Sequence, residues 1–307
     1  MRRFTQVLIL ASFMLFLASG CKQDTGIFAG YDKLSSLELA YQQDPNPQSA
    51  NDLIKSLLET LKEPSLSAAK RNSFLDYGYS LAKEQGINSR AASFLFPIIK
   101  EGSKDSADPN KIFELASMMK TLKKTAASNT LYQSIVDNAP NFDKVSEAKA
   151  AITDEYENID SYIYNLGEEL FKNPDNTGIN RTAAMKYVDA CEAYALGYPN
   201  GANTPAYLFK SAEVAKSLRT YSKSLSLYDW VLEKYPNYEK APTALFLKGF
   251  IIENNVGDDV KARQIYDQFL STFPSHDLAD DVQFLIDNLG KTDEEILQMI
   301  ESKRKDK

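Results

Sequence analysis

Residues 112–144 read IFELASMMKTLKKTAASNTLYQSIVDNAPNFDK, and residues 208–240 read LFKSAEVAKSLRTYSKSLSLYDWVLEKYPNYEK. The two stretches align without a gap at an offset of 96, and ten of the 33 positions are identical. The shared residues include Phe113/Phe209, Ala116/Ala212, Ser128/Ser224, Tyr132/Tyr228, Pro140/Pro236 and Lys144/Lys240. A further shift of 38 carries Tyr228 onto Tyr266 and Pro236 onto Pro274. Tyr187 with Tyr198-Pro199, and Phe94 with Gly102, are looser relatives of the same pattern. Self-similarity at fixed spacing marks supersecondary units that stack on one another, because no single unit can bury its own apolar face.

The units are helical. Leu53, Leu57, Leu58 and Leu61 recur at helical spacing, as do Phe113, Ala116 and Met119, and Phe246 and Phe250. Strand-like alternation is absent from Tyr31 onward. Between the stripes lie Pro45, Pro47, Pro64, Gly86, Pro109, Pro140, Pro174, Pro199, Pro236, Pro274 and Gly290. Proline lacks an amide donor and disfavours helix in the residue before it, so these positions predict loops. The pattern predicts an all-α solenoid of stacked antiparallel helix pairs, with about fourteen helices of roughly 12–20 residues. One long helix is expected from about Lys144 to Phe171.

Residues 240–274 resemble a tetratricopeptide repeat (TPR). The resemblance implies that Gly249 is the small residue where the two helices touch and Gly257 the turn glycine. It makes Ala262 the small residue of the second helix, Tyr266 its aromatic and Pro274 the closing proline. In the preceding repeat Ala212, Ser224, Tyr228 and Pro236 take these places. The period of 38 exceeds the 34 usual for the family.

The N-terminus reads as an address. Arg2 and Arg3 precede an apolar run of 12 residues, Val7 to Ala18, which is too short to span a bilayer. Ala18-Ser19-Gly20-Cys21 resembles the lipobox of bacterial lipoproteins, with Ala18 where the family prefers Leu. The resemblance implies a signal peptide over 1–21, lipid attachment at Cys21, and therefore the lipid bilayer as a partner. Residues 22–30 then form a tether, followed by N-terminal helical repeats over 31–140 and a less regular helical segment over 141–200. C-terminal repeats occupy 201–290, and a terminal helix with the basic tail Lys303-Arg304-Lys305 occupies 291–307. Loss of Arg2 and Arg3 takes the formal net charge from −7 to −9. An acidic chain of this kind argues against nucleic acid, whose phosphates demand clustered Lys and Arg.

The residues that carry chemistry are few. His276 is the only histidine and reads as a cap residue near a helix start. Cys191, on a stripe with Tyr187 and Tyr194, reads as a core thiol. Asp258-Asp259, Asp280-Asp281, Glu294-Glu295 and Glu168-Glu169 read as solvated helix ends, and Asn173–Gly178 as a turn. Neither a metal set nor a cofactor motif is present, so no metal, cofactor or catalytic residue is assigned. Asp105-Ser106-Ala107 resembles an O-glycosylation acceptor of Bacteroidetes and otherwise reads as a loop.

Lipobox and helical array together resemble the TPR lipoproteins of Bacteroidetes. More distantly they resemble the TPR lipoprotein of the outer-membrane β-barrel assembly machine and the periplasmic TPR protein of the Tol–Pal system. These resemblances imply an outer-membrane scaffold with another envelope protein as partner; the periplasmic face is expected, with the cell exterior as the alternative. The alternative is a glycan- or nutrient-binding lipoprotein of an outer-membrane transporter, which normally offers exposed Trp platforms; here only Trp230 is present. An envelope enzyme is a third reading, for which no acidic catalyst is nominated.

Overall fold

The computed structural model describes residues 26–102, 107–176, 178–292, 294–295 and 297–298. The expected signal peptide, Cys21, Asp105-Ser106 and the basic tail lie outside the described residues. The described chain is an all-α solenoid of helices packed in adjacent pairs, with fourteen α-helices and no strand. Its contacts divide it into two compact units, one ending at Phe74 and one beginning at Leu75.

The first unit holds α1 (Asp32–Gln43), α2 (Pro47–Thr60) and the beginning of α3 (Ala68–Glu84). Asn46 starts α2 with a reciprocal cap: its side chain accepts from the Ser49 amide, and the Ser49 hydroxyl accepts from the Asn46 amide. Leu34, Leu53, Ile54 and Leu57 are buried. So is Phe28, whose ring lies 5.2 Å from that of Phe74. The expected tether 22–30 is therefore docked over its second half. Lys70 Nζ donates to the carbonyls of Ile27 (2.8 Å) and Ala29 (3.3 Å) and holds the segment in place.

The second unit continues from α3 through α4 (Asn88–Gly102), α5 (Pro109–Thr121), α6 (Thr125–Asn138), α7 (Val145–Ala151) and α8 (Ile159–Glu168). It ends with α9 (Arg181–Gly197), α10 (Thr204–Ser217), α11 (Tyr221–Lys234), α12 (Ala241–Ile251), α13 (Asp259–Thr272) and α14 (Ala279–Asn288). Two devices punctuate it. Within the pairs α3–α4, α5–α6, α10–α11 and α12–α13 the turn carries one residue with positive φ: Gly86, Lys123, Arg219 and Gly257. In the first three, the next amide donates to the carbonyl five residues back: Ile87 to Ala82, Lys124 to Met119 and Thr220 to Ala215, each at 2.9 Å. These bonds satisfy carbonyls that a helix end would otherwise leave unpaired.

Between pairs the second device recurs. Ala139, Tyr198, Tyr235 and Phe273 leave the helix with φ between −134° and −128°, each directly before a proline that disfavours continued helix. The amides of Phe142, Gly201, Tyr238 and His276 then donate back to these residues' carbonyls. Each following helix, α7, α10, α12 or α14, begins three residues later. His276 thus occupies the loop position of Phe142 and Tyr238. It is half-buried, packs edge-on against Phe269, and its Nδ1 accepts from the Leu278 amide.

The identities between the two long repeats have packing causes. Ser128 Oγ donates to the Ala116 carbonyl (3.0 Å) and Ser224 Oγ to the Ala212 carbonyl (2.7 Å), all four residues being buried. Phe113 meets Tyr132 edge-on at 5.5 Å, as Phe209 meets Tyr228 at 5.6 Å. Lys144 and Lys240 place their ammonium groups over Phe113 and Phe209. In the α12–α13 pair the close approach falls at Gly249, where a Cβ would stand 2.5 Å from the Tyr266 ring. Gly249 lies eight residues before Gly257, whereas Ala212 lies seven before Arg219. The π-helical turn Ile252–Val256 takes up the additional residue. Ala262 is fully buried in the same pair, and Tyr266 donates to Glu253 Oε2 at 2.6 Å.

The single helix expected from Lys144 to Phe171 is not formed. α7 stops at Ala151, Ile152 is extended (ψ 129°), and α8 restarts at Ile159 and passes into a 3-10 turn at Glu169–Phe171. Two polar groups explain the break. Asn129 Oδ1, buried in α6, accepts from the Thr153 amide (3.2 Å), and Asn158 caps α8 reciprocally with Ser161. Apolar periodicity is blind to both. Helix lengths also run below the expected range: α7 has 7 residues, and α8 and α14 have 10 each.

Two substitutions separate crowding from turn strain. Gly249→Ala forces the Tyr266 ring aside and should cost about 1–3 kcal/mol. Arg219→Gly removes a left-handed side-chain penalty and should stabilise by about 0.5–1 kcal/mol. Urea unfolding curves of the two variants beside the unaltered protein measure both.

Candidate binding groove

α9 is the axis of the second unit. Every residue from Ala190 to Gly197 is buried, so the helix has no solvated face along its second half. Small residues make this possible. A Cβ at Gly197 would collide with the Ser134 side chain of α6, and Asn138 Nδ2 donates to the Gly197 carbonyl at 3.0 Å. Cys191 is fully buried on this helix, and burial pushes its thiol up to about 12. A thiol held in that state is a packing group, not a nucleophile.

One side of α9 forms the wall of a groove of about 570 Å³. α4 contributes Ala92 and Phe96, α5 Leu115 and Met119, α6 Ala127 and Leu131, and α9 Ala193 and Leu196. Beyond Leu196 the lining continues to Trp230 and Tyr235 of the α11 region. The floor is apolar because each of these helices turns its core stripe inward. The rim is charged and paired. Lys124 Nζ sits 2.7 and 2.9 Å from the Asp189 oxygens, and Lys223 Nζ 2.8 and 3.1 Å from those of Glu192. At the far end Lys100 and Lys234 of opposite walls pair with Glu233 (3.5 Å) and Glu101 (3.6 Å). Glu192 is itself buried, so its ion pair with Lys223 fixes α9 against the start of α11.

Trp230 is buried, edge-on to Phe96 at 5.7 Å and beneath the Lys100 ammonium at 5.1 Å. It is a wall element and offers no exposed platform for a sugar. Pro236 and Pro274 lie in inter-pair loops, and Ala212, Ser224, Tyr228, Gly249, Ala262 and Tyr266 lie inside pairs. None of these repeat residues lines the groove. Asp258 caps α13 by accepting from the Lys261 amide, and Asp280-Asp281 stand in the first turn of α14. Among the described residues no group of His, Cys, Asp and Glu is placed to hold a metal ion.

A second cluster had no sequence signal. Tyr162, Tyr198 and Tyr207 donate to Asp154 (2.7 Å), Asp137 (2.6 Å) and Asp160 (2.8 Å). Tyr194 stacks on Tyr198 at 4.5 Å and meets Tyr207 edge-on at 4.9 Å, and Tyr156 lies 4.5 Å from Tyr162. The partners come from α6, the 152–158 link, α8, α9 and α10, far apart in sequence. Burial, then the nearby carboxylates, pushes Tyr156 and Tyr194 up to about 12, and Tyr162, Tyr198 and Tyr207 are raised further in the same way. Each hydroxyl that donates to a carboxylate must keep its proton for the bond to exist.

No protein-family model matches the chain, and no curated protein matches it.

The tyrosine network sets an alkaline limit. A phenol whose pKa is higher in the folded than in the unfolded chain gives stability that is complete below the unfolded value, about 10. That stability drains away as pH rises from 10 through 12 and beyond. Absorbance of tyrosinate and helical circular dichroism, recorded together, should show these phenols ionising only as the helices melt above pH 10.

Proposed function

We propose that this protein is a lipid-anchored scaffold of a bacterial envelope that binds a segment of another envelope protein in the groove beside α9. The groove carries this reading. Its floor is apolar, with Phe96 and Met119 partly exposed on it and Ser93, Lys124 and Lys223 exposed at its edge, and its polar groups are paired with one another across the rim instead of converging on one point as catalytic groups must. Stacked helix pairs commonly bind a peptide segment on such an extended surface. The lipobox-like Ala18-Ser19-Gly20-Cys21 and the repeat pattern through Pro274 support an anchored TPR-type scaffold, with the outer membrane's periplasmic face as its place. Among the described residues no helix is long and apolar enough to cross a membrane, so on this reading Cys21 is the attachment. A role in building or maintaining the outer membrane follows from the same resemblances.

The test is affinity capture from detergent-solubilised envelope with the tagged protein and with Met119→Glu, which sets a charge over the apolar floor. One envelope protein recovered by the native chain and depleted about tenfold or more by Met119→Glu, with thermal unfolding little changed, supports the groove; a 1.4 kcal/mol loss is enough for that. Equal recovery by both sinks it.

A further inference from the structure

We infer that the first unit is held directly against the membrane surface, because its N-terminal segment is clamped and leaves almost no tether. The inference rests on the lipid-anchor reading of Cys21. Phe28 is buried against Phe74, and Ser35 Oγ donates to the Phe28 carbonyl at 3.2 Å. Lys70 reaches from α3 to the Ile27 and Ala29 carbonyls while its ammonium lies 5.9 and 5.8 Å from the Tyr31 and Phe74 ring centres. A lysine that gives its hydrogen bonds to one short segment and its charge to two rings is a clasp, and the chain is fixed from Ile27 onward.

Only residues 22–26 then separate Cys21 from the first fixed residue. Fully extended, the six steps from Cys21 to Ile27 span roughly 20 Å, and as a flexible chain about 13 Å on average. That is no more than the width of a headgroup layer plus one helix, so the first unit cannot stand off from the bilayer. Electrostatics does not supply this contact. Residues 26–74 carry five Lys and Arg against six Asp and Glu, a net charge of −1, and an anionic leaflet gives such a surface no attraction. The partner of this face is the lipid headgroup layer, and the short clamped chain is what holds it there.

The test uses the full lipidated protein in phosphatidylethanolamine–phosphatidylglycerol vesicles that carry an acceptor dye on the headgroups. A donor is attached through Ser36→Cys, an exposed site on α1; Cys191 is buried and leaves the labelling selective. Mass spectrometry of the N-terminal peptide first establishes acylation of Cys21; an unmodified cysteine overturns the anchor itself. With acylation present, we expect strong donor quenching that 0.5 M salt leaves unchanged. An 18-residue Gly/Ser insertion after Asp24, ahead of the described residues, doubles the mean reach and should cut the transfer by about half or more. Phe28→Ala/Lys70→Met frees residues 27–31 and should lower it to a smaller extent. Weak transfer in the unaltered lipoprotein, transfer abolished by salt, or transfer indifferent to the insertion overturns the short-tether inference while the anchor stands.

Discussion

Two helices of a pair can approach closely only where one of them presents almost no side chain, and the second unit is organised around that requirement. Ala116 and Ala212 meet it with a methyl group, and the facing Ser128 and Ser224 turn their hydroxyls onto the alanine carbonyls. Each such bond is worth about 1 kcal/mol, but its larger effect is on register. Gly249 meets the same requirement with no side chain at all, because the Tyr266 ring fills the space. Once register is fixed, the turn follows seven residues after Ala116 and Ala212, and eight after Gly249, where the π-helical turn takes up the extra residue. The chain then needs a left-handed residue there, whether the sequence supplies Gly257 or the less suited Lys123 and Arg219.

The same requirement reappears between pairs at α9. Its run of Ala190, Ala193, Ala195 and Gly197 lets α6 close in on one side and α10 on another, and leaves one strip to wall the groove. Segment 145–180 departs from the repeat at this place. The Tyr162–Asp154 bond holds the extended link at 152–158 to α8, while Tyr198–Asp137 ties the end of α9 to α6 and Tyr207–Asp160 ties α10 to α8. These are bonds between partly buried phenols and carboxylates, where a neutral donor gains most from a charged acceptor.

The groove and the docked N-terminal segment arise from different physical sources. The groove lies where the inward stripes of several helices meet, with Phe96 and Met119 partly exposed in its apolar lining, and ion pairs at its rim tie the walls together. At the start of the first unit, Lys70 and Phe28 turn an expected tether into a docked segment.

Much of the fold was legible in the sequence. The offset of 96 and the Tyr-to-Pro spacing identified the helix pairs, the prolines and Gly86, Gly257 and Gly290 marked their ends, and Gly249 stood out as a contact residue. These signals are local: turn chemistry, helical period and the need for a small residue each act within about 40 residues of chain. Cys191 was legible as core for the same reason, since its neighbours on one helix face are apolar. The break at Ile152 was not, because it depends on a polar bond from the Thr153 amide to Asn129 Oδ1, which apolar periodicity does not register. Neither the groove nor the tyrosine network was legible. Phe96, Met119, Leu196 and Trp230 each look like ordinary core positions on their own helices, and Asp137, Asp154 and Asp160 like ordinary surface acids. The sequence by itself determined the helices, their pairing and their turns, because those follow from short-range sterics and hydrogen bonding. Tertiary structure alone decided which apolar stripes come together at the groove and which acids meet which tyrosines, because that depends on how successive pairs rotate against one another.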